Sequence, residues 1–198
     1  SNDRVFTSVL QNATGVWISG GNQRRLAQVY SNTRVAKELV RLLKRGGVVG
    51  GTSAGAAIQS QVMIAGGKIK PKLLQGVDLL PDSIVDQHFM TRNRERRLRE
   101  ALNSHPRRFG IGIDEQTAAV VNGRTIEVLG ESTVSILFTE NDPSETRTLV
   151  LKSGDKADLT AIRRQARETQ QPSFPSDDVR RPSVQSGTLF IVGGGLSR

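Results

Sequence analysis

Cysteine is absent from the 198 residues. That removes disulfides, thiolate metal sites and a cysteine nucleophile together. Aromatic residues are scarce, with six Phe, one Trp and one Tyr, which speaks against the stacked-ring platforms that hold single-stranded nucleic acid. Only two histidines occur, His88 and His105, so histidine-based catalysis has two candidates. No apolar run approaches the roughly 18 residues of a membrane-spanning helix, and the polar start lacks the apolar core of a signal peptide. The expectation is a soluble chain with no membrane partner and a cytoplasmic location. The histidines and carboxylates lack a metal-ligand spacing, so neither metal nor cofactor is expected.

What is present is a basic chain with enough apolar residues, 36%, for a sizeable core. Lys plus Arg number 28 against 19 Asp plus Glu, a formal charge of +9. The excess is arginine, and it clusters at 92–99, 163–167 and 180–181. The first cluster lies on an expected helix and the other two in an expected tail. No single stripe forms, which disfavours nucleic acid as a partner.

Along the chain, VWISGG (16–21) reads as a short strand ending in glycines. TRVAKELVRLLKR (33–45) carries Val35, Leu39, Leu42 and Leu43 at helical spacing, with Gly46-Gly47 as a stop. VVGG (48–51) reads as a buried strand, and AGAAIQSQVM (54–63) as a helix. SIVDQHF (83–89) is strand-like, NRERRLREAL (93–102) helical and FGIGI (109–113) strand-like. Asn122-Gly123 marks a hairpin within a β-meander. Strands alternating with helices, then a β-rich stretch, predict an α/β sheet with antiparallel additions in the C-terminal part. The main domain is expected over 1–164, a Pro-rich flexible linker over 165–186, and an isolated strand, GTLFIVGGG, within 187–198.

One motif is chemically sharp. Gly51-Thr52-Ser53-Ala54-Gly55 is G-x-S-x-G between a strand and a helix, the setting of a nucleophile elbow. Ser53 is the candidate nucleophile, and the Ala54 amide can face a developing oxyanion. A serine hydroxyl needs a base. His105, before Pro106, reads as a helix C-terminal residue, which leaves His88 at a strand end. The base needs an orienting carboxylate, and Asp86, Asp114 and Glu115 all qualify. Asp114 and Glu115 point to opposite sides, so only one can reach the site. The glycine-rich turn Gly20-Gly21-Asn22 can offer a second oxyanion amide, from Gly21 or Asn22. Arg92, Arg94 and Arg97 follow His88, and the last two share a helix face, where a guanidinium can clamp a substrate carboxylate.

Together these residues resemble the cyanophycinase-like serine peptidases of family S51. The resemblance runs over about residues 13–135, on GGNQ (20–23), GGTSAGAA (50–57), DQHFMTRNRERRL (86–98) and GIGIDEQTA (110–118). It implies a three-layer α/β sandwich with a mainly parallel sheet, like the class I glutamine amidotransferases. It assigns Ser53 as nucleophile, His88 as general base and Glu115 as third member, with Gln23, Asp86, Gln87 and Arg92 lining the pocket and Arg94 and Arg97 near it. The implied substrates are aspartate- and arginine-containing peptides, foremost the β-Asp-Arg polymer cyanophycin. A homodimer is the expected assembly.

Two departures stand out. Position 22 is Asn where the family usually has Asp, which removes a negative charge at the rim. Only 52 residues precede Ser53, whereas GTLFIVGGG near the other end resembles the family's opening strand. A permuted member, a fragment of a tandem protein and an omission of segments all fit; a fragment is the favoured expectation. Strands not supplied from elsewhere would leave an exposed sheet edge and an apolar face. The alternatives to a cyanophycin-cleaving enzyme are an α-aspartyl dipeptidase or other serine hydrolase, and a truncated, non-catalytic binding domain.

Overall fold

A computed structural model describes residues 2–140, 146–168 and 187–194. In chain order the described elements are α1 (Arg4–Asn12), β1 (Gly15–Ile18), α2 (Gln23–Tyr30), α3 (Arg34–Lys44), β2 (Val48–Thr52), α4 (Ala54–Ala57), β3 (Ser60–Gly66), β4 (Lys72–Gln75) and β5 (Leu80–Gln87). There follow α5 (Glu95–Asn103), β6 (Phe109–Ile113), β7 (Thr117–Asn122), β8 (Thr125–Gly130), β9 (Val134–Thr139), β10 (Thr146–Leu151), β11 (Lys156–Asp158), α6 (Leu159–Glu168) and β12 (Thr188–Val192).

The strands form two six-stranded sheets, ordered β1-β2-β12-β7-β8-β11 and β10-β9-β6-β5-β3-β4. Among the described residues, parallel pairing is confined to β1–β2, β2–β12, β3–β5 and β5–β6. The mainly parallel sheet implied by the resemblance is therefore corrected to a mixed two-sheet arrangement. The reason is connection length: a short turn can return the chain only antiparallel. The Asn122-Gly123 turn, with Gly123 at φ 57°, joins β7 to β8 in this way, and β4 folds back on β3 likewise.

Periodicity and capping explain the helices. The apolar stripe of α3 is buried through Val35, Leu39, Leu42 and Leu43. Two of the helices absent from the sequence expectations, α1 and α2, start at side-chain caps. Asp3 accepts from the amides of Val5 and Phe6 at 2.7 and 3.0 Å ahead of α1, and Asn22 accepts from Arg25 N–H at 3.1 Å ahead of α2. The helix expected over 54–63 is a single turn, Ala54–Ala57. Ser60 Oγ donates to the carbonyls of Ala57 and Val62, and Val62 and Met63 pair with Ile84 and Val85 of β5, so sheet pairing overrides the helical reading. α6 runs to Glu168 and carries the arginines of 163–167, which places that cluster on a helix rather than in a tail. Residues 169–186, including most of the expected linker and Arg180 and Arg181, lie outside the described residues, as do 195–198.

The core sits mainly between the sheets and α3, with a second cluster where α5 packs Leu98, Ala101 and Leu102 against Ile84, Phe89 and Leu137. β12, expected as an isolated terminal strand, lies inside the first sheet between β2 and β7. No described helix is long and apolar enough to cross a membrane.

Candidate active site

The site is built where β2, β5 and β6 end. β2 runs into Ser53, which takes φ 54° and ψ −111°. That is a sparsely populated conformation, and it persists only where the surroundings hold it. Here close packing does so. A Cβ on Gly51 would lie 2.2 Å from the Gly55 carbonyl oxygen, and one on Gly55 would lie 1.9 Å from the Ile18 carbonyl oxygen. Both glycines of the G-x-S-x-G motif are thus required by backbone contact. Ser53 N–H also donates to Val192 O at 3.0 Å.

His88 stands one residue beyond β5 with φ 52°. Its N–H donates to Gly193 O at 3.1 Å, and the next amide, Phe89 N–H, donates to Ile113 O at 3.1 Å. The imidazole lies between Ser53 and Glu115: Oγ of Ser53 is 2.9 Å from Nε2, and Oε1 of Glu115 is 2.7 Å from Nδ1. A carboxylate on Nδ1 places the ring proton there and leaves Nε2 to accept from the serine hydroxyl. The first sheet therefore supplies Ser53, and the second supplies His88 and Glu115.

The other carboxylates have different occupations. Asp114 accepts from Thr91 N–H and Oγ1 at 3.2 and 2.7 Å and from Ser132 Oγ at 3.0 Å. Burial alone would raise its pKa, but the bonds from Thr91, the Glu115 amide and Ser132 outweigh it and hold the group below the usual aspartate value. Adjacent Asp114 and Glu115 are thus split between scaffold and site.

Asp86 is fully buried. Arg97 grips it in bidentate fashion, with Nε at 2.6 Å from Oδ2 and a second contact from Nη2 to Oδ1, and also donates to Gly67 O at 3.0 Å. Arg94 donates to Gln87 O at 2.5 Å and approaches Asp86 at 3.4 Å. Burial lowers the Arg94 pKa to about 10, with Asp86 opposing the shift, so it remains charged at neutral pH. Asp86 was expected to line the pocket, and Arg94 and Arg97 to clamp a substrate. The structure corrects this: buried charges must be paired, Asp86 and Arg97 form a buried ion pair, and half-buried Arg94 lies beside it as a second guanidinium.

Gln87 is 2% exposed, and its Oε1 is buried without a protein partner. Gln23 opens α2 and donates to Ile64 O at 3.3 Å, while Arg92 is exposed on the turn after His88. The Gly20–Asn22 turn borders Ser53, since a Cβ on Gly20 would be 3.5 Å from Ser53 Cβ and 4.0 Å from Oγ. His105 lies just past α5, with Nδ1 3.3 Å from Ala101 O. The sequence reading missed Thr91 and Ser132, which hold Asp114, and the end of β12. Only the glycine run after an apolar strand hinted at the last of these.

Known proteins resemble this chain. Residues 1–129 match the model of peptidase family S51. A cyanophycinase of Geminocystis herdmanii is 40% identical over 144 residues, 68% of this chain and 53% of that protein. A cyanophycinase of Trichormus variabilis is 44% identical over 146 residues, 69% of this chain and 47% of that protein. The chain thus spans about half the length of these relatives. Among solved structures, a peptidase from an acI-B1 Actinobacterium superposes with a TM-score of 0.63 at 22% identity, covering 79% of this chain and 64% of that one, which supports the shared fold. With the family model covering more than half of its residues, this chain belongs to peptidase family S51.

Proposed function

We propose that the chain is a serine-type peptidase that hydrolyses cyanophycin to β-aspartyl-arginine dipeptides. The observation that carries the reading is the continuous line from Ser53 Oγ through the His88 ring to Glu115, with links of 2.9 and 2.7 Å. Ser53 attacks the amide carbonyl while His88 Nε2 takes its proton. Glu115 holds the ring and stabilises the imidazolium. The Ala54 amide and the Gly21–Asn22 turn are the donors assigned to the oxyanion, supported by the closeness of Gly20 to Ser53. His88 then protonates the leaving amine, and water, activated by the same ring, releases the acyl group.

Substrate choice rests on the similarity to cyanophycinases together with the rim. Arg92 and Asn22 are exposed there, and Gln23 is half-buried. Arg92 suits a free substrate carboxylate. Asn22 keeps the capping role that an aspartate would fill, so its exchange alters rim charge without disturbing the start of α2.

The test uses the purified chain with a serine-reactive fluorophosphonate and three substrates: cyanophycin, an α-aspartyl dipeptide and a simple ester. Cyanophycin is expected to be cleaved in preference to the other two. Labelling should vanish in Ser53→Ala, with kcat down by about 10⁴–10⁶-fold and the melting temperature nearly unchanged. Labelling that survives Ser53→Ala overturns the mechanism. Labelling without cyanophycin cleavage keeps the mechanism and overturns the substrate.

A further inference from the structure

Both residues that form the reactive hydrogen bond sit at positive φ, 54° for Ser53 and 52° for His88. Neither lies within a strand, so something outside the two motifs must hold them. Three consecutive residues at the far end of the chain do so. Val192 O accepts Ser53 N–H at 3.0 Å, and Gly193 O accepts His88 N–H at 3.1 Å. Gly193 N–H in turn donates to Thr117 O at 3.0 Å, which ties the segment to β7. Gly194 lies against the ring itself. A Cβ there would fall 2.4 Å from His88 Cε1, 2.5 Å from Nδ1 and 3.3 Å from Glu115 Cγ. The ring could yield only by giving up Ser53 or Glu115.

We infer that Val192–Gly193–Gly194 is the positioning element of the triad, and that Gly194 holds the His88 imidazole in line with Ser53 and Glu115 by having no side chain. The inference rests on the triad reading above and adds a component that neither the elbow nor the DQHF motif contains. Two features separate it from ordinary glycine packing. Gly194 has a φ outside the left-handed region, so its backbone would accept alanine, and what bars a side chain is the base. Gly193 behaves differently: a Cβ there would lie 1.9 Å from the Asp114 carbonyl oxygen, a clash with backbone that tests the fold and not the ring.

The decisive experiment compares the full chain with its Gly194→Ala variant. A methyl group at this position displaces the imidazole by a fraction of an ångström or more. Misplacement on the 1 Å scale costs about 10²-fold in rate. The expected result is therefore a fall in kcat of that order with KM and melting temperature close to the parent values. Proton NMR should show a low-field resonance for the proton between His88 Nδ1 and Glu115 in the parent chain, shifted or lost in Gly194→Ala. The parent should also show a nuclear Overhauser contact between Gly194 Hα and His88 Hε1. Unchanged kcat, an unmoved low-field proton or a missing contact overturns the inference, as does activity lost only in proportion to unfolded protein. If Gly194→Ala does not fold, the contact in the parent decides. If the parent hydrolyses nothing and takes no fluorophosphonate, the triad reading fails, and the low-field proton and the contact still decide whether Gly194 sets the ring.

Discussion

The two sheets bury their strands differently. In the second sheet, β6 and β9 are buried at every residue, and β5 is buried from Ser83 to Gln87. In the first sheet β7, β8 and β12 alternate. Leu189, Ile191, Ala119, Val121, Ile126 and Val128 are buried, whereas Phe190 and Val120 are half-covered and Trp17 and Leu129 exposed. The register places Trp17, Gly50, Phe190 and Val120 side by side on that outer face, and the Trp17 ring packs against Gly50, where a Cβ would be 2.3 Å from its carbons. A strand covered on both faces can carry an ion pair into the interior only with its partners in place. That is what Asp86, Arg94 and Arg97 show beneath His88. A strand open on one face tolerates more, and there the site takes only Ser53 and the end of β12. β1 is an edge strand of the first sheet, and Trp17 on its outer face is exposed.

The contrast can be broken most forcefully at Arg97. Replacing it with methionine leaves the Asp86 carboxylate buried and half-unpaired, with an expected loss of about 3–5 kcal/mol, read as a lowered urea midpoint. A loss below about 1 kcal/mol would mean that Asp86 is hydrated and the second sheet is not closed. Next in size is a matched pair of truncations. Ile111→Ala in β6 is expected to cost about 2–5 kcal/mol, and Val120→Ala on the outer face of the first sheet less than about 1 kcal/mol. Equal costs would show that the outer face is covered in solution. The smallest effect is acid sensitivity at Asp114, whose donors are neutral groups at the rim. Its folded pKa is lowered, so the stability it contributes is present above the ordinary aspartate value, about 3.9, and is lost as pH falls through the lowered value. Asp114→Asn should flatten the melting-temperature profile below about pH 4 and leave it parallel above. An unchanged acid limb would assign that loss to other carboxylates.

Much of the site could be read from short strings because its chemistry is local. The strand–serine–helix order around Ser53, the lone useful histidine at a strand end and the paired Asp114-Glu115 each follow from a few neighbours. So do α3, from its apolar spacing, and the β7–β8 hairpin, from Asn122-Gly123. The errors arose where distant partners decide. Ala54–Ala57 stops after one turn because β5 and β4 claim the residues that follow. Asp86 looked like a pocket acid because its two arginines, eight and eleven residues on, also looked free. Alpha-helical spacing shows that Arg94 and Arg97 share a face, but not whether that face meets solvent or a carboxylate.

The sequence alone determined the reactive types and their local geometry: a serine at a sharp glycine-flanked turn, one histidine able to serve it, and the family these motifs carry. Tertiary structure alone decided that Asp86 is a buried partner of Arg97 with Arg94 beside it, and that residues 192–194 meet Ser53 and His88. The physical reason is reach. Backbone sterics and capping act over a few residues, whereas charge pairing and strand order depend on groups that only the folded chain brings to within 3 or 4 Å.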